Sequence, residues 1–241
     1  QLIRLPWKAK EIAAAVERYE ALLPSYAWPN WVLGNHDKPR IATRAGAAQA
    51  RVAAMLLLTL RGTPTIYYGD EIGMHDVPIP IDRVRDPFEK NVPGLGLGRD
   101  PVRTPMQWSG GTSADFTTGE PWLPIAADYQ DFNVSAERDD PTSILALYRS
   151  LIELRRSEPA LSVGEYSQLP AGADLIAYLR KAGERRLLIV LNLGPQERRF
   201  NISELEVQAS LIFSTHHDRG QERLGAGLKL RPDEGVIVEL R

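Results

Sequence analysis

Residues 31 to 69 carry a strand, a helix and a second strand in that order, and nothing else in the chain constrains the fold as tightly. Trp31-Val32-Leu33 is a short run of aromatic, β-branched and aliphatic side chains closed by Gly34-Asn35. Ala45 to Leu60 is rich in Ala, Leu and Met and predicts a helix, which Gly62 and Pro64 end. Thr65-Ile66-Tyr67-Tyr68, up to Gly69, reads as a second buried strand. Two strands that are mostly apolar along their length, joined through a helix, make a parallel crossover, so this end of the chain is α/β.

The flanking segments have other patterns. Ala9 to Leu23 places Ile12, Val16, Tyr19 and Leu23 at helical spacing, and Pro24 stops the helix. Residues 74–140 are dense in Pro and Gly. A loop that long is either disordered or functional, and its aromatics (Phe88, Trp108, Phe116 and Trp122 among them) favour an ordered, packed one. Pro141 is expected to open a helix whose buried stripe is Ile144, Leu147, Tyr148, Leu151, Ile152 and Leu154, ending near Arg156. After Pro159 come short strand-like runs at Asp174–Arg180, Arg186–Leu193, Val207–Ser214, Leu228–Leu230 and Gly235–Leu240, with turn residues between them. That is the grammar of an antiparallel all-β domain. The expected division is therefore residues 1–158, including the long loop 74–140, and residues 159–241.

Composition narrows the function classes. In 241 residues, 43% are hydrophobic and 25% charged, as in a soluble globular chain. Lys and Arg number 29 against 31 Asp and Glu, so no electrostatic pull towards nucleic acid or an anionic membrane is expected. The most apolar run, Val52 to Leu60, falls well short of the ~20 residues of a membrane span. Cysteine is absent, which excludes disulfides and thiol chemistry and fits a reducing, cytoplasmic compartment. Gln1 opens neither a signal peptide nor a typical native start, so the chain is expected to begin inside a larger polypeptide.

Parallel strands present functional residues at their carboxyl ends. The first such end carries Gly34-Asn35-His36-Asp37-Lys38-Pro39-Arg40, the second Gly69-Asp70-Glu71-Ile72-Gly73. Asn, Asp and Pro form turns for local reasons, so the first reads equally as a turn or as an imidazole and a carboxylate sharing a pocket. Asp70 reads best as a residue that caps or braces its loop. Gly94-Leu95-Gly96-Leu97-Gly98 looks like a phosphate cradle, but no strand precedes it and Pro101 stands where a helix would start.

Three blocks in this order carry a family resemblance. Trp31-Val32-Leu33-Gly34-Asn35-His36-Asp37 resembles the end of the seventh strand in the α-amylase family of glycosidases, glycoside hydrolase family 13. Gly62 to Met74 is similar to the eighth strand and its exit, and Gly98-Arg99-Asp100-Pro101-Val102-Arg103-Thr104-Pro105-Met106-Gln107-Trp108 to a loop of the oligo-1,6-glucosidase, α-glucosidase and trehalose synthase branch. The resemblance implies the last strands and helices of a (β/α)8 TIM barrel followed by a C-terminal antiparallel β-sandwich domain. It implies retaining cleavage of short α-glucosides of the maltose, isomaltose, sucrose or trehalose type, without cofactor or metal. Asp37 would be the carboxylate that stabilises the transition state. His36 would hydrogen-bond the sugar in subsite −1, Arg99 would hold the terminal glucose O4, and Arg40 would lie near subsite +1.

The family's nucleophile and acid belong to the fourth and fifth strands, and neither motif occurs before Trp28. The chain alone is therefore expected to be inactive and to associate with a missing N-terminal barrel portion or with itself. Two other readings stay open: a trehalose synthase or sucrose-active relative, and a non-catalytic amylase-like scaffold. A carbohydrate-binding role for the β domain is disfavoured by its sparse aromatics, Tyr166, Tyr178, Phe200 and Phe213.

Overall fold

The computed structural model describes residues 2–24, 26–205 and 208–241, so Gln1 and Val207 lie outside the described residues. Helix α1 (Ala9–Leu22) buries Ala9, Ile12, Ala15 and Val16, the three- and four-residue spacing of one face. It ends where Leu23 turns extended (φ −82°, ψ 130°), as the ring of the following Pro24 demands.

Strand β1 (Asn30–Val32) then enters the interior through Trp31. The crossover is made by α2 (Ile41–Ala45) and α3 (Ala47–Thr59), separated by Gly46 at φ +90°. Every residue of α3 from Val52 to Thr59 is buried, which accounts for its unbroken apolar run. Strand β2 pairs with β1 in parallel, Asn30 with Thr63 and Val32 with Thr65. It covers Thr63–Thr65, two residues earlier than expected. Tyr67 and Tyr68 have already left the strand because their rings pack around the Arg40 guanidinium, and Gly69 (φ +83°) turns the chain.

Residues 74–140 are ordered and packed, with two short helices, α4 (Pro87–Asn91) and α5 (Val134–Glu137). Met74, Val77, Val84, Val102, Met106 and Leu123 anchor the segment. The aromatics expected to do this do otherwise: Phe88, Trp108, Phe116 and Trp122 stay substantially exposed. Helix α6 (Ile144–Ser157) starts later than Pro141 because Ser143 caps it, its Oγ accepting from Ala146 N at 3.0 Å. Pro159 instead opens α7 (Pro159–Ser162).

Eight strands follow: β3 (Glu165–Leu169), β4 (Leu175–Ala182), β5 (Arg185–Asn192), β6 (Arg198–Asn201), β7 (Ala209–Ser214), β8 (Glu222–Leu224), β9 (Gly227–Leu230) and β10 (Gly235–Leu240). A six-stranded antiparallel sheet runs β3-β4-β5-β10-β7-β8, and β6 pairs with β9 as a separate ribbon. Side chains alternate between the faces of the large sheet. Tyr178, Leu187, Ile189, Leu191 and Ile237 join α3, α6 and α7 in one core, while Leu188, Val190, Val236 and Val238 meet Phe200, Leu228 and Leu230 of the ribbon in a second. The β region is thus a two-layer sandwich with helices on its other face. No helix among the described residues is long and apolar enough to cross a membrane.

Candidate active site

At the end of β1 the chain forms a turn that carries both candidate residues, His36 and Asp37. Asn35 Oδ1 accepts from Asp37 N at 2.9 Å, an Asx turn that pushes His36 and Asp37 outward, their side chains 63% and 45% exposed. His36 Nε2 lies 3.4 Å from Asp37 Oδ2.

The long loop returns two guanidiniums to this carboxylate. Arg99 Nη1 donates to Asp37 Oδ1 at 3.4 Å and Arg103 Nη2 to the same oxygen at 3.2 Å. Arg103 Nε also donates to the His36 carbonyl at 2.9 Å, tying the turn from behind. One 3-10 turn, Asp100–Val102, separates the two arginines and brings both to Asp37. Arg103 was missed as a site residue, although its four-residue distance from Arg99 was a usable signal. Asp86 was also missed. Its side chain is wholly buried and accepts from Arg99 Nε at 2.7 Å, and those hydrogen bonds hold its carboxyl far below the usual carboxylate range.

Arg40, expected near subsite +1, has a wholly buried side chain. Nη1 donates to the Tyr68 carbonyl at 2.6 Å and lies 4.0 Å from Asp70 Oδ1, with the Tyr67 and Tyr68 rings 4.9 and 4.7 Å from the guanidinium carbon. A buried charge needs such partners, and with them Arg40 braces the floor of the site. Asp70, expected to cap or brace its loop, lies buried in a 3-10 turn where its Oδ1 meets no hydrogen-bond donor among the described residues, and burial pushes its carboxyl up to about 7. Glu71, beside it, is also raised by burial.

Next to His36 opens a cleft of about 590 Å³ lined by Tyr67, Tyr68, Glu71, Arg103, Trp108, Phe116 and Trp122 among others. Aromatic faces with a few polar groups at one end suit a sugar, whose C–H face stacks while its hydroxyls hydrogen-bond. The glycine-rich stretch offers no anion cradle, since Glu89 Oε1 and Oε2 already accept from Gly94 N at 2.8 Å and Gly98 N at 3.1 Å. Among the described residues no three His, Asp or Glu side chains gather as a metal set.

Known proteins resemble this chain in sequence and in fold. A salivary α-glucosidase of Anopheles gambiae is 34% identical over 95% of this chain and 41% of its own length. The oligo-1,6-glucosidase of Parageobacillus thermoglucosidasius is 29% identical over 98% of this chain and 47% of its own. The crystal structure of the trehalulose synthase of Pseudomonas mesoacidophila MX-45 superposes with a TM-score of 0.90 at 30% identity, covering 100% of this chain and 50% of that one. The chain thus spans about half the length of the relatives it matches. The family model for the α-amylase catalytic domain matches residues 3–164, through both strand ends and the arginine loop, and the chain belongs to that family.

Proposed function

We propose that this chain forms the substrate-clamping part of a retaining α-glucosidase acting on short α-linked glucosides. One observation carries the reading: an exposed carboxylate, Asp37, held between two guanidiniums and an imidazole at the mouth of an aromatic cleft. In such an enzyme Asp37 faces the positive charge that develops on the sugar, while His36 and Arg99 donate to its hydroxyls. β1 and β2 are read as the last two strands of a (β/α)8 barrel, with residues 159–241 as the β domain behind it.

Retaining hydrolysis needs two further carboxyl groups about 5–5.5 Å apart. Asp70 is buried and Asp86 has both oxygens engaged with Arg99, so of these neighbours Glu71 alone lines the cleft, and one carboxyl does not make the pair. The nucleophile and the acid are assigned to a segment outside these 241 residues. Within the described residues β1 and β2 pair only with each other, which leaves edges for that segment or for a second copy of the chain.

The test is glucose release from maltose and from p-nitrophenyl α-glucoside. The 241-residue chain should release none and should not run as a clean monomer on sizing. The longer polypeptide should be active, and Asp37→Asn should lower its kcat on the order of 10²–10³-fold. Turnover by the 241-residue chain, or an Asp37→Asn enzyme of undiminished rate, overturns the assignment.

A sucrose-isomerising enzyme is the second reading. It is favoured by the superposition on the trehalulose synthase, a mutant of which was solved with its substrate sucrose at a TM-score of 0.90. Incubation with sucrose separates the two, an isomer in one case and free glucose and fructose in the other.

A further inference from the structure

Arg99 stands between two carboxylates and is held unequally by them. Towards the cleft its Nη1 reaches Asp37 Oδ1 at 3.4 Å, long for an ion-paired hydrogen bond. On the other side Nε donates to Asp86 Oδ2 at 2.7 Å, Nη2 to Asp86 Oδ1 at 3.2 Å and the Arg99 backbone N to Oδ2 at 2.8 Å. The Asp86 side chain is fully buried whereas that of Asp37 is 45% exposed. The Phe88 ring lies 5.1 Å from the guanidinium carbon, and Phe88 N supplies a further donor to Asp86 Oδ1 at 3.0 Å.

The clasp is reciprocal. Asp100, next to Arg99, accepts on Oδ2 from the backbone N of Arg85 at 2.5 Å and of Asp86 at 2.8 Å. Each of the two segments, 85–86 and 99–100, therefore offers a carboxylate to the other's backbone, and their relative position is over-determined. A planar guanidinium whose Nε and Nη2 are both engaged by one carboxylate has a fixed plane, and its Nη1 then points one way.

We propose that Asp86 is a positioning residue: it holds the Arg99 guanidinium away from a two-pronged pair with Asp37 and keeps the single Nη1 contact to Asp37 long, so that a sugar hydroxyl can displace it. Without it, the nearest counter-charge for Arg99 is Asp37, and the pair would close over the atoms that the substrate must meet. The proposal rests on the glucosidase reading for its consequence but not for its geometry.

The experiment has two arms. In the active, longer polypeptide, Asp86→Asn should raise KM for maltose by about 10²-fold, with the number of titratable active sites unchanged. In an Arg99→Ala background the same substitution should add less than about threefold, because its effect travels through Arg99. An equal effect in both backgrounds, or a loss of active sites at constant KM, overturns the proposal. The second arm uses the 241-residue chain and does not depend on catalysis or on Asp86→Asn folding. The Arg99 Nε–H proton should be protected from exchange in the NMR spectrum of both wild type and Asp37→Asn. Loss of that protection in Asp37→Asn would show that Asp37, not Asp86, holds the guanidinium. If no form of the protein hydrolyses a glucoside, the functional reading fails while this arm still decides the Asp86–Arg99 relationship.

Discussion

Asp70 lies directly against Gly34: a Cβ built on residue 34 would stand 2.6 Å from Asp70 Oδ2 and 3.3 Å from its Cγ. No side chain fits there unless the buried carboxylate moves, and that carboxylate is placed by Arg40 and by the turn at Gly69. Gly34→Ala should therefore cost about 1–3 kcal/mol of stability, the range of overpacking in a filled interior. Urea unfolding of the two proteins measures it, and an unchanged midpoint would refute the close approach.

The same carboxyl makes stability depend on pH with a predictable sign. Burial raises Asp70 from 3.8 to about 7 in the folded chain. Between those values the folded state keeps a proton that the unfolded state has lost. The Asp70 contribution to stability then falls as pH rises from about 4 to about 7, by at most about 1.4 kcal/mol per pH unit, and levels off above that. Glu71, also raised by burial, adds in the same direction. Asp70→Asn should flatten the slope in this window while leaving acid stability near that of wild type. Thermal unfolding at pH 4 to 8 checks it, and an identical slope in both proteins would show that Asp70 does not titrate there.

A third prediction concerns the join between helices and sheet. Arg180 of β4 is wholly buried, yet among the described residues no carboxylate forms an ion pair with it. It donates to the carbonyls of Thr59 at the end of α3, Gly164 (3.0 Å) and Glu165 (3.3 Å), and burial pulls it down to about 10. Thr59 stands in the last turn of α3, where C=O groups have no intrahelical donor, so Arg180 satisfies an acceptor that the helix leaves open. Arg180→Met should cost about 3 kcal/mol through orphaned buried acceptors, and Arg180→Lys, with a single ammonium, should recover only part. Chemical denaturation at constant m-value would measure both.

These residues also show which parts of the molecule were readable beforehand. β4, β5 and β10 announced themselves because both of their faces are buried and their apolar runs are unbroken. β3, β6 and β8 did not, being short and largely half-buried or exposed, so their side chains carry no period. His36 and Asp37 were legible as a strand end, and the family resemblance pointed to them. The burial of Arg40 was not legible, because only the fold shows the two tyrosine rings and the carboxylate that admit an arginine to the interior. Asp86 was hidden by a second occupation. It caps α4 by accepting from Phe88 N, and the same carboxylate also grips Arg99 thirteen positions on. No periodicity encodes such a pair.

Arg103 separates stability from function most cleanly. Its ion pair with Asp37 is partly exposed on both sides, with side-chain exposures of 26% and 45%, so screening leaves it worth no more than about 1 kcal/mol. Its geometry matters more. Nε on the His36 carbonyl and Nη2 on Asp37 fix the turn and the carboxylate together, a fork that a lysine cannot reproduce. Arg103→Ala should barely move the melting temperature, yet it should speed amide exchange at His36 and Asp37 and, in the active polypeptide, lower kcat/KM for maltose by about 10–10²-fold. Arg103→Lys should keep the charge and still fail to restore either property. If Lys restored both, the effect would be electrostatic attraction alone, and the forked contact would have no part in placing Asp37.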